Sequence, residues 1–305
     1  MKPLPDKALR FKNISDLLHH SGLPAPLHPL IALINYDRTA MNLSDAGNWF
    51  VLDFYKITFK RSFNGNINYG YGTYDFKEGG MAFLAPDQLV QKSADKKDYQ
   101  GFALYFHPDL MHNYPLEQGI HRYGFFSYAV SEALFLSKRE KDTMELLFQA
   151  NIAELENNID QFSDDVLISQ LQLLLNHSNR FYNRQFLTRK NQHHELIDRM
   201  NLWLSRQFDH SETLLQGLPS PKDVAAHLNV SHRYLSDMLK ALTGKTTQQH
   251  IHLALIEKAK ELISHNRLTT AEIAYQLGFE HPQSFSKLFK QKTKVSPAVF
   301  RQQVN

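Results

Sequence analysis

Residues Glu272–Lys290 read EIAYQLGFEHPQSFSKLFK, a small-residue helix, a glycine stop and a second helix start packed into one short segment. Asp223–Lys240, upstream, reads DVAAHLNVSHRYLSDMLK and carries nearly the same pattern. Aligning Val224 with Ile273 brings Ala225 onto Ala274, Leu228 onto Leu277 and Val230 onto Phe279. With one residue inserted in the second copy, Leu235 meets Phe285, Ser236 meets Ser286, Leu239 meets Phe289 and Lys240 meets Lys290. Such self-similarity marks a duplicated supersecondary unit.

Each copy reads as a helix-turn-helix. Ala225 and Ala274 are small where a second helix crosses closely, and Asn229 and Gly278 tolerate the left-handed backbone of a tight turn. Val230 and Phe279 plug the turn. Ser231 is placed to cap the second helix of the first copy, and Pro282 suits the first helical turn of the second. Leu235, Met238 and Leu239, like Phe285, Leu288 and Phe289, form the inward face, leaving the other face free to enter a major groove. The joining segment, TTQQHIHLALIEKAKELISH, predicts a helix with Ile251, Leu255, Ala259, Leu262 and Ile263 buried. As a rod of roughly 27 Å it suits two reading helices held about 34 Å apart, one turn of DNA.

Charge agrees with an anionic partner for this end of the chain. Leu218–Asn305 holds 12 Lys+Arg against 6 Asp+Glu and six histidines, whereas the remainder holds 22 against 25. The net +3 of the whole 305-residue chain hides that asymmetry. No cysteine is present, which excludes disulfides, thiolate catalysis and cysteine-ligated metals and fits a reducing compartment. The start, MKPLPDKALRFKN, has no apolar signal core, and no apolar run is long enough to span a bilayer. A cytoplasmic protein that does not enter a membrane is expected.

The first half has a different texture. WFVLDFYKITFK (Trp49–Lys60) reads as one long strand, Asn64-Gly65 as a hairpin turn, YDFKEGGMAFLAP as two strands about Gly79-Gly80, and YQGFALYFHP as a strand closed by Pro108. Short strands at this spacing indicate a sandwich or barrel. Next comes a helical hairpin, with Met144, Leu147, Phe148, Ile152 and Leu155 on one face and Leu167, Leu171, Leu174 and Leu175 on another. Those faces serve either packing on the protein's own sheet or a dimer seam. The polar, basic RQFLTRKNQHH reads as a linker, followed by an amphipathic helix with Leu196, Met200, Trp203 and Leu204 inward. The expected domains are therefore 1–183, a linker at 184–193, and 194–305.

The C-terminal motifs are specific enough to name a resemblance. EIAYQLGF, FSKLFK and the closing SPAVFR, within His194–Arg301, resemble the DNA-binding domain of the arabinose-regulator (AraC/XylS-type) transcription factors. The resemblance implies an α+β chain: a cupin-like β-barrel or sandwich for sensing and dimerisation with its helical hairpin, then a seven-helix all-α domain with two helix-turn-helix units. Carried over by motif, Arg233, Ser236 and Asp237 of the first unit and Gln283, Ser286 and Lys287 of the second face base edges. Arg233 suits guanine, Gln283 adenine and Asp237 a cytosine amine, with an intramolecular pair to Arg233 as the other role for Asp237. His232, Lys240, Lys245 and Lys290 are cast as phosphate contacts, or else as plain solvated charges. The implied partners are double-stranded DNA, a small-molecule effector, a second copy of the chain and, for an activator, RNA polymerase. One departure stands out: Lys294 replaces the glycine usual in a TGVSP-like stretch, while the first copy keeps Gly244.

Enzymatic chemistry finds no support. Cupin metal sites resemble a His-x-His pair with a glutamate and a further histidine, and His107, His112 and His121 lack that spacing; the barrel turn APDQ ends in Gln88. His250 and His252 point to different sides of a helix, and no phosphate loop or nucleophile elbow occurs. No metal and no cofactor is expected. Trp49, Phe54, Tyr69, Tyr71, Phe83 and Tyr105 are candidates to line an effector cavity or to fill the core. The resulting expectation is a sequence-specific transcription regulator. The alternatives are a cupin-type enzyme tethered to DNA and a regulator controlled by a protein partner.

Overall fold

The structure, a computed structural model, describes residues 8–39, 49–61, 66–69, 72–75, 79–91, 100–209, 217–265 and 268–304. The chain divides into two compact units, Met1–Gln185 and Phe186–Asn305.

Among the described residues the first unit has nine strands: β1 (Leu9–Phe11), β2 (Ile31–Asn35), β3 (Trp49–Leu52), β4 (Tyr55–Lys60), β5 (Asn66–Tyr69), β6 (Gly72–Asp75), β7 (Gly80–Leu84), β8 (Leu89–Gln91) and β9 (Gly101–Phe106). They form a four-stranded antiparallel sheet in the order β2-β9-β4-β7, a three-stranded sheet β1-β3-β8 and the β5-β6 hairpin. Among the described residues these are separate sheets, so the expected barrel is not closed. The single strand expected over Trp49–Lys60 is also corrected, because Asp53 and Phe54 break it and send its halves to different sheets. The cause is non-local. The Asp53 N–H donates to the Phe11 carbonyl and its carboxylate pairs with Arg10 at 2.6 Å, while Phe54 turns inward to full burial. The expected Asn64-Gly65 turn lies outside the described residues.

Alternation along β4 gives the sheet two different faces. Phe59 of β4 and Phe102 of β9 stack on Phe148 of α3 (Lys138–Glu156), with ring centroids 5.7 and 5.2 Å apart. Arg61 fixes the same helix by pairing with Glu145 and also holds Asp37. A capping box of Ser137 and Glu140 starts α3, and Arg184 of α4 (Ser163–Thr188) takes Glu140 with two bonds of 2.8 and 2.9 Å. The hairpin α3–α4 thus packs on the protein's own sheet, with Tyr182 reaching Phe83 and Phe125. The helices α1 (Ile14–His20) and α2 (Pro115–Gly119) complete this unit.

Among the described residues the second unit adds seven helices: α5 (Lys190–Asp209), α6 (Pro221–Leu228), α7 (His232–Thr243), α8 (Thr247–His265), α9 (Thr270–Gln276), α10 (Pro282–Thr293) and α11 (Pro297–Val304). The segment 184–193, expected as a linker, is helical on both sides of Arg189, and the division of the chain falls inside α4. Polar composition misled there: with no glycine or proline, the stretch has good helix formers, and Phe186 and His193 are buried. No helix among the described residues is long and apolar enough to cross a membrane.

Candidate nucleic-acid interface

Both copies of the repeated motif close their first helix in the same way. In the first, the Asn229 N–H donates to the Ala226 carbonyl and the Val230 N–H to that of Ala225, with Asn229 left-handed at φ 58°. In the second, Gly278 (φ 82°) donates to Tyr275 and Phe279 to Ala274. These paired bonds are the Schellman arrangement, which turns the chain sharply and seats an apolar residue just past the helix. Ala225 and Ala274 are buried, as their role in close crossing requires. The residue extra to the second copy falls in the turn, where Glu280 and His281 stand against Ser231 alone. The second helices of the two copies, α7 and α10, are then in strict register, each twelve residues long.

Their caps differ. Ser231 accepts from the Tyr234 N–H at 3.2 Å, whereas His281 caps α10 with no side-chain bond and leaves the work to Pro282 at the first helical position. At the far ends Gly244 (φ 72°, ψ 3°) and Lys294 (φ 71°, ψ −6°) adopt the same left-handed conformation. The departure noted in the sequence is therefore a lysine in a glycine's backbone position. Between the copies runs α8, whose 19 residues extend about 28 Å. It buries Ile251, Leu255, Ala259, Leu262 and Ile263 as its pattern requires. Arg301, from the closing SPAVFR, donates to the Leu268 carbonyl at 2.6 Å and Phe300 packs edge-on to Phe289, so this motif is a structural clasp.

The inward face of α7 comprises Tyr234, Leu235, Met238 and Leu239, that of α10 Phe285 and Phe289. The opposite faces carry the candidates. His232, Arg233, Lys240 and Lys245 are exposed around α7, with Ser236 and Asp237 half-buried. Gln283, Lys287 and Lys290 are exposed on α10, with Ser286 half-buried. Arg233 Nε donates to Asp237 Oδ2 at 3.0 Å, one helical turn away, so α7 presents a neutralised pair at its centre. α10 presents Lys287 at the position equivalent to Asp237, with Lys290, Lys292 and Lys294 following.

Two features escaped the sequence. Tyr234 is buried and its hydroxyl lies 3.2 Å from His193 Nε2, while His193 Nδ1 lies 2.9 Å from the Phe186 carbonyl. Nδ1–H donates to the carbonyl and Nε2 accepts from the tyrosine, which needs a neutral ring; burial lowers the His193 pKa and favours that form. Nothing local signals this bond between residues so far apart. Tyr275 on α9 is 59% exposed, a large aromatic on the first helix of the second copy where the first has Ala226. Misalignment with the alanine was its visible mark. Of the aromatics proposed to line a cavity, Phe83 packs on Phe125, Phe126 and Tyr182, whereas Phe54 and Tyr105 meet each other on the sheet's other face at 6.0 Å. Trp49 is half-buried, and the side chains of Tyr69 and Tyr71 lie outside the described residues. Among the described residues no group of three histidine or acidic side chains converges as a metal site.

Comparison with known proteins gives a consistent picture. Residues 224–303 match the helix-turn-helix domain HTH_18, and residues 64–172 match the description "AraC-like ligand binding domain". The regulatory protein PocR of Salmonella typhimurium is 34% identical over 84 residues, 28% of each chain. The transcriptional activator RhaS of Escherichia coli O1:K1 is 30% identical over 159 residues, 52% of each chain. The chain thus spans about half the length of RhaS and less of PocR. Among solved structures, the C-terminal domain of AraT, a response regulator from Geobacillus stearothermophilus, is 30% identical. It covers 35% of this chain and 84% of its own, with a TM-score of 0.31.

Proposed function

Since the chain belongs to the AraC/XylS-type family of transcription regulators, we propose that it binds a specific site on double-stranded DNA and regulates transcription there, under control of its N-terminal unit. The observation that carries this reading is the duplicated helix-turn-helix. Two equal-length helices, closed by the same turn and packed on one connecting helix, hold their polar faces outward in a basic unit.

In this reading Arg233, Ser236 and Asp237, with Gln283, Ser286 and Lys287, meet base edges, while His232, Lys240, Lys245 and Lys290 meet phosphates. The Arg233–Asp237 pair must open or be used as a unit, because an aspartate beside phosphate is unfavourable without its partner. The N-terminal unit senses a small molecule, and the outward side of its hairpin, where Leu146, Ile159, Phe162 and Leu173 are exposed, joins a second copy. RNA polymerase is the further partner if the protein activates. The chain acts in the cytoplasm and carries out no catalysis.

The test is selection of bound duplexes from a random pool by the full chain at near-physiological salt. Recovery of two short segments about one helical turn apart supports a double reader. Salt-sensitive binding with no recovered motif removes sequence reading. Arg233→Ala then locates one contact: a loss of about 1–3 kcal/mol confined to one base position marks base reading, and uniform weakening on all sequences makes it a phosphate contact.

A further inference from the structure

Along α10, Gln283, Lys287, Lys290 and Lys294 recur at intervals of four, three and four residues, which sets them in one line on the exposed side of the helix. Lys294 lies past the last helical residue, but its N–H donates to the Lys290 carbonyl at 2.8 Å, so its backbone continues the line by one turn. From Lys287 to Lys294 the line rises roughly 10 Å. The matching residues of α7 are Arg233, Asp237, Lys240 and Gly244. There the first two neutralise each other and the last carries no side chain. One line therefore holds three cations, the other a single one beside a closed pair.

Two observations single out Lys294. The first is its backbone. The other left-handed turns of the repeated motif are made by Asn229, Gly244 and Gly278, residue types that accept the conformation, whereas lysine at φ 71° is disfavoured by its Cβ. Residues held in such conformations cluster where they serve a function. The second is its surroundings. On α8, Lys258 pairs with Asp209 and Glu261, and Lys260 pairs with Glu257. Among the described residues Lys287, Lys290 and Lys294 meet no carboxylate and are exposed. Lys292, two residues on from Lys290, falls on the opposite side of the helix. There it stands toward His252 of α8, whose pKa is lowered by burial and then by the Lys292 charge.

We propose that Lys294 is a phosphate contact, the outer end of the line Gln283–Lys287–Lys290, and that it makes the second copy of the motif the electrostatic anchor on DNA. Positive charge at that end meets the backbone beyond the bases that Gln283 and Lys287 face. The first copy, with Gly244 at this place and Arg233 tied to Asp237, contributes less to salt-dependent binding. The proposal rests on reading the second unit as a DNA binder and assigns its anchoring to one copy.

The experiment is fluorescence-anisotropy titration of a mixed-sequence duplex with the full chain over a range of salt concentrations. The slope of log K against log salt reports the phosphates neutralised, about 0.9 for each contact. Lys294→Gly, which keeps the turn and removes the charge, should lower the slope by about 0.9, so its deficit against the unaltered chain shrinks about threefold to fourfold between roughly 50 and 200 mM salt. Lys294→Arg should retain the slope. Lys292→Gln, which removes a charge from the other side of the same helix, should leave it unchanged. A slope that Lys294→Gly does not alter, or that Lys292→Gln lowers by as much, would overturn the proposal while duplex binding itself stands. Failure of the unaltered chain to bind any duplex would remove the regulator reading and this proposal with it.

Discussion

Replacing Lys294 by glycine should make the second unit more stable, which is an unusual direction for a substitution to glycine. Lys294 ends α10 at φ 71° with its N–H donating to the Lys290 carbonyl at 2.8 Å; Gly244 ends α7 at φ 72° with the matching bond to Lys240 at 3.0 Å. The two positions share a backbone and differ in residue. A left-handed conformation costs an L-residue with a Cβ about 1–2 kcal/mol. Restoring glycine returns that but frees the unfolded chain by about 0.4–1 kcal/mol. The net gain is about 0.5–1 kcal/mol, or a rise in Tm of about 2–4 °C for a unit of this size. The mirror substitution, Gly244→Ala, should lose a similar amount. A Cβ there meets nothing within 4 Å, so its cost is backbone strain alone. The assay is urea unfolding of the full chain carrying Trp49→Phe, which leaves Trp203, stacked on His227 at 5.2 Å, as the one tryptophan reporter. Unchanged or lowered stability in Lys294→Gly, alongside a loss in Gly244→Ala, would refute the reasoning by showing that the lysine side chain offsets its own strain.

The other predictions concern charge. Asp237→Asn should release Arg233 from its pair and tighten binding to duplex DNA by a few-fold, with a steeper salt dependence, read by titration at two salt concentrations; unchanged binding would mean the pair stays clear of DNA. His193 titrates below its ordinary value when folded, so between that lowered pKa and about 6.5 the unfolded chain binds the extra proton. Stability of the second unit should therefore fall on acidification through that window, in the same direction as the lowered His250 and His252, and His193→Gln should flatten the fall. Lys60 reverses the habit of surface lysines: with a folded pKa of about 6 against 10.5 unfolded, the unfolded state holds one more proton between those values. Stability of the first unit should climb with pH across that interval, by up to about 1.4 kcal/mol per pH unit, and Lys60→Met should remove the slope in pH-dependent unfolding.

The second unit was legible because its determinants are local. Capping residues such as Ser231 and Thr269, the small Ala225 and Ala274, and the turn residues Asn229 and Gly278 act within a few positions of where they stand. The Arg233–Asp237 pair was open to the same reading, since four residues span one helical turn. The first unit depends on partners far along the chain. The break at Asp53-Phe54 answers to Arg10 and Phe11, and the central strand β4 answers to β9, so spacing within Trp49–Lys60 could not reveal either. The helix through 190–193 was missed because its polarity looked like a linker, and the bond from His193 to Tyr234 spans too much sequence for any pattern to carry.

Register between α7 and α10 has a consequence for genome organisation. The paired positions are alike in geometry and unlike in chemistry: Arg233 stands where the second helix has Gln283, and Asp237 where it has Lys287. On the proposed reading, a single chain would recognise a site without two-fold symmetry. It would then have a leading and a trailing end on the double helix, and inverting its site would point the same protein the other way along the chromosome, toward a different neighbouring gene.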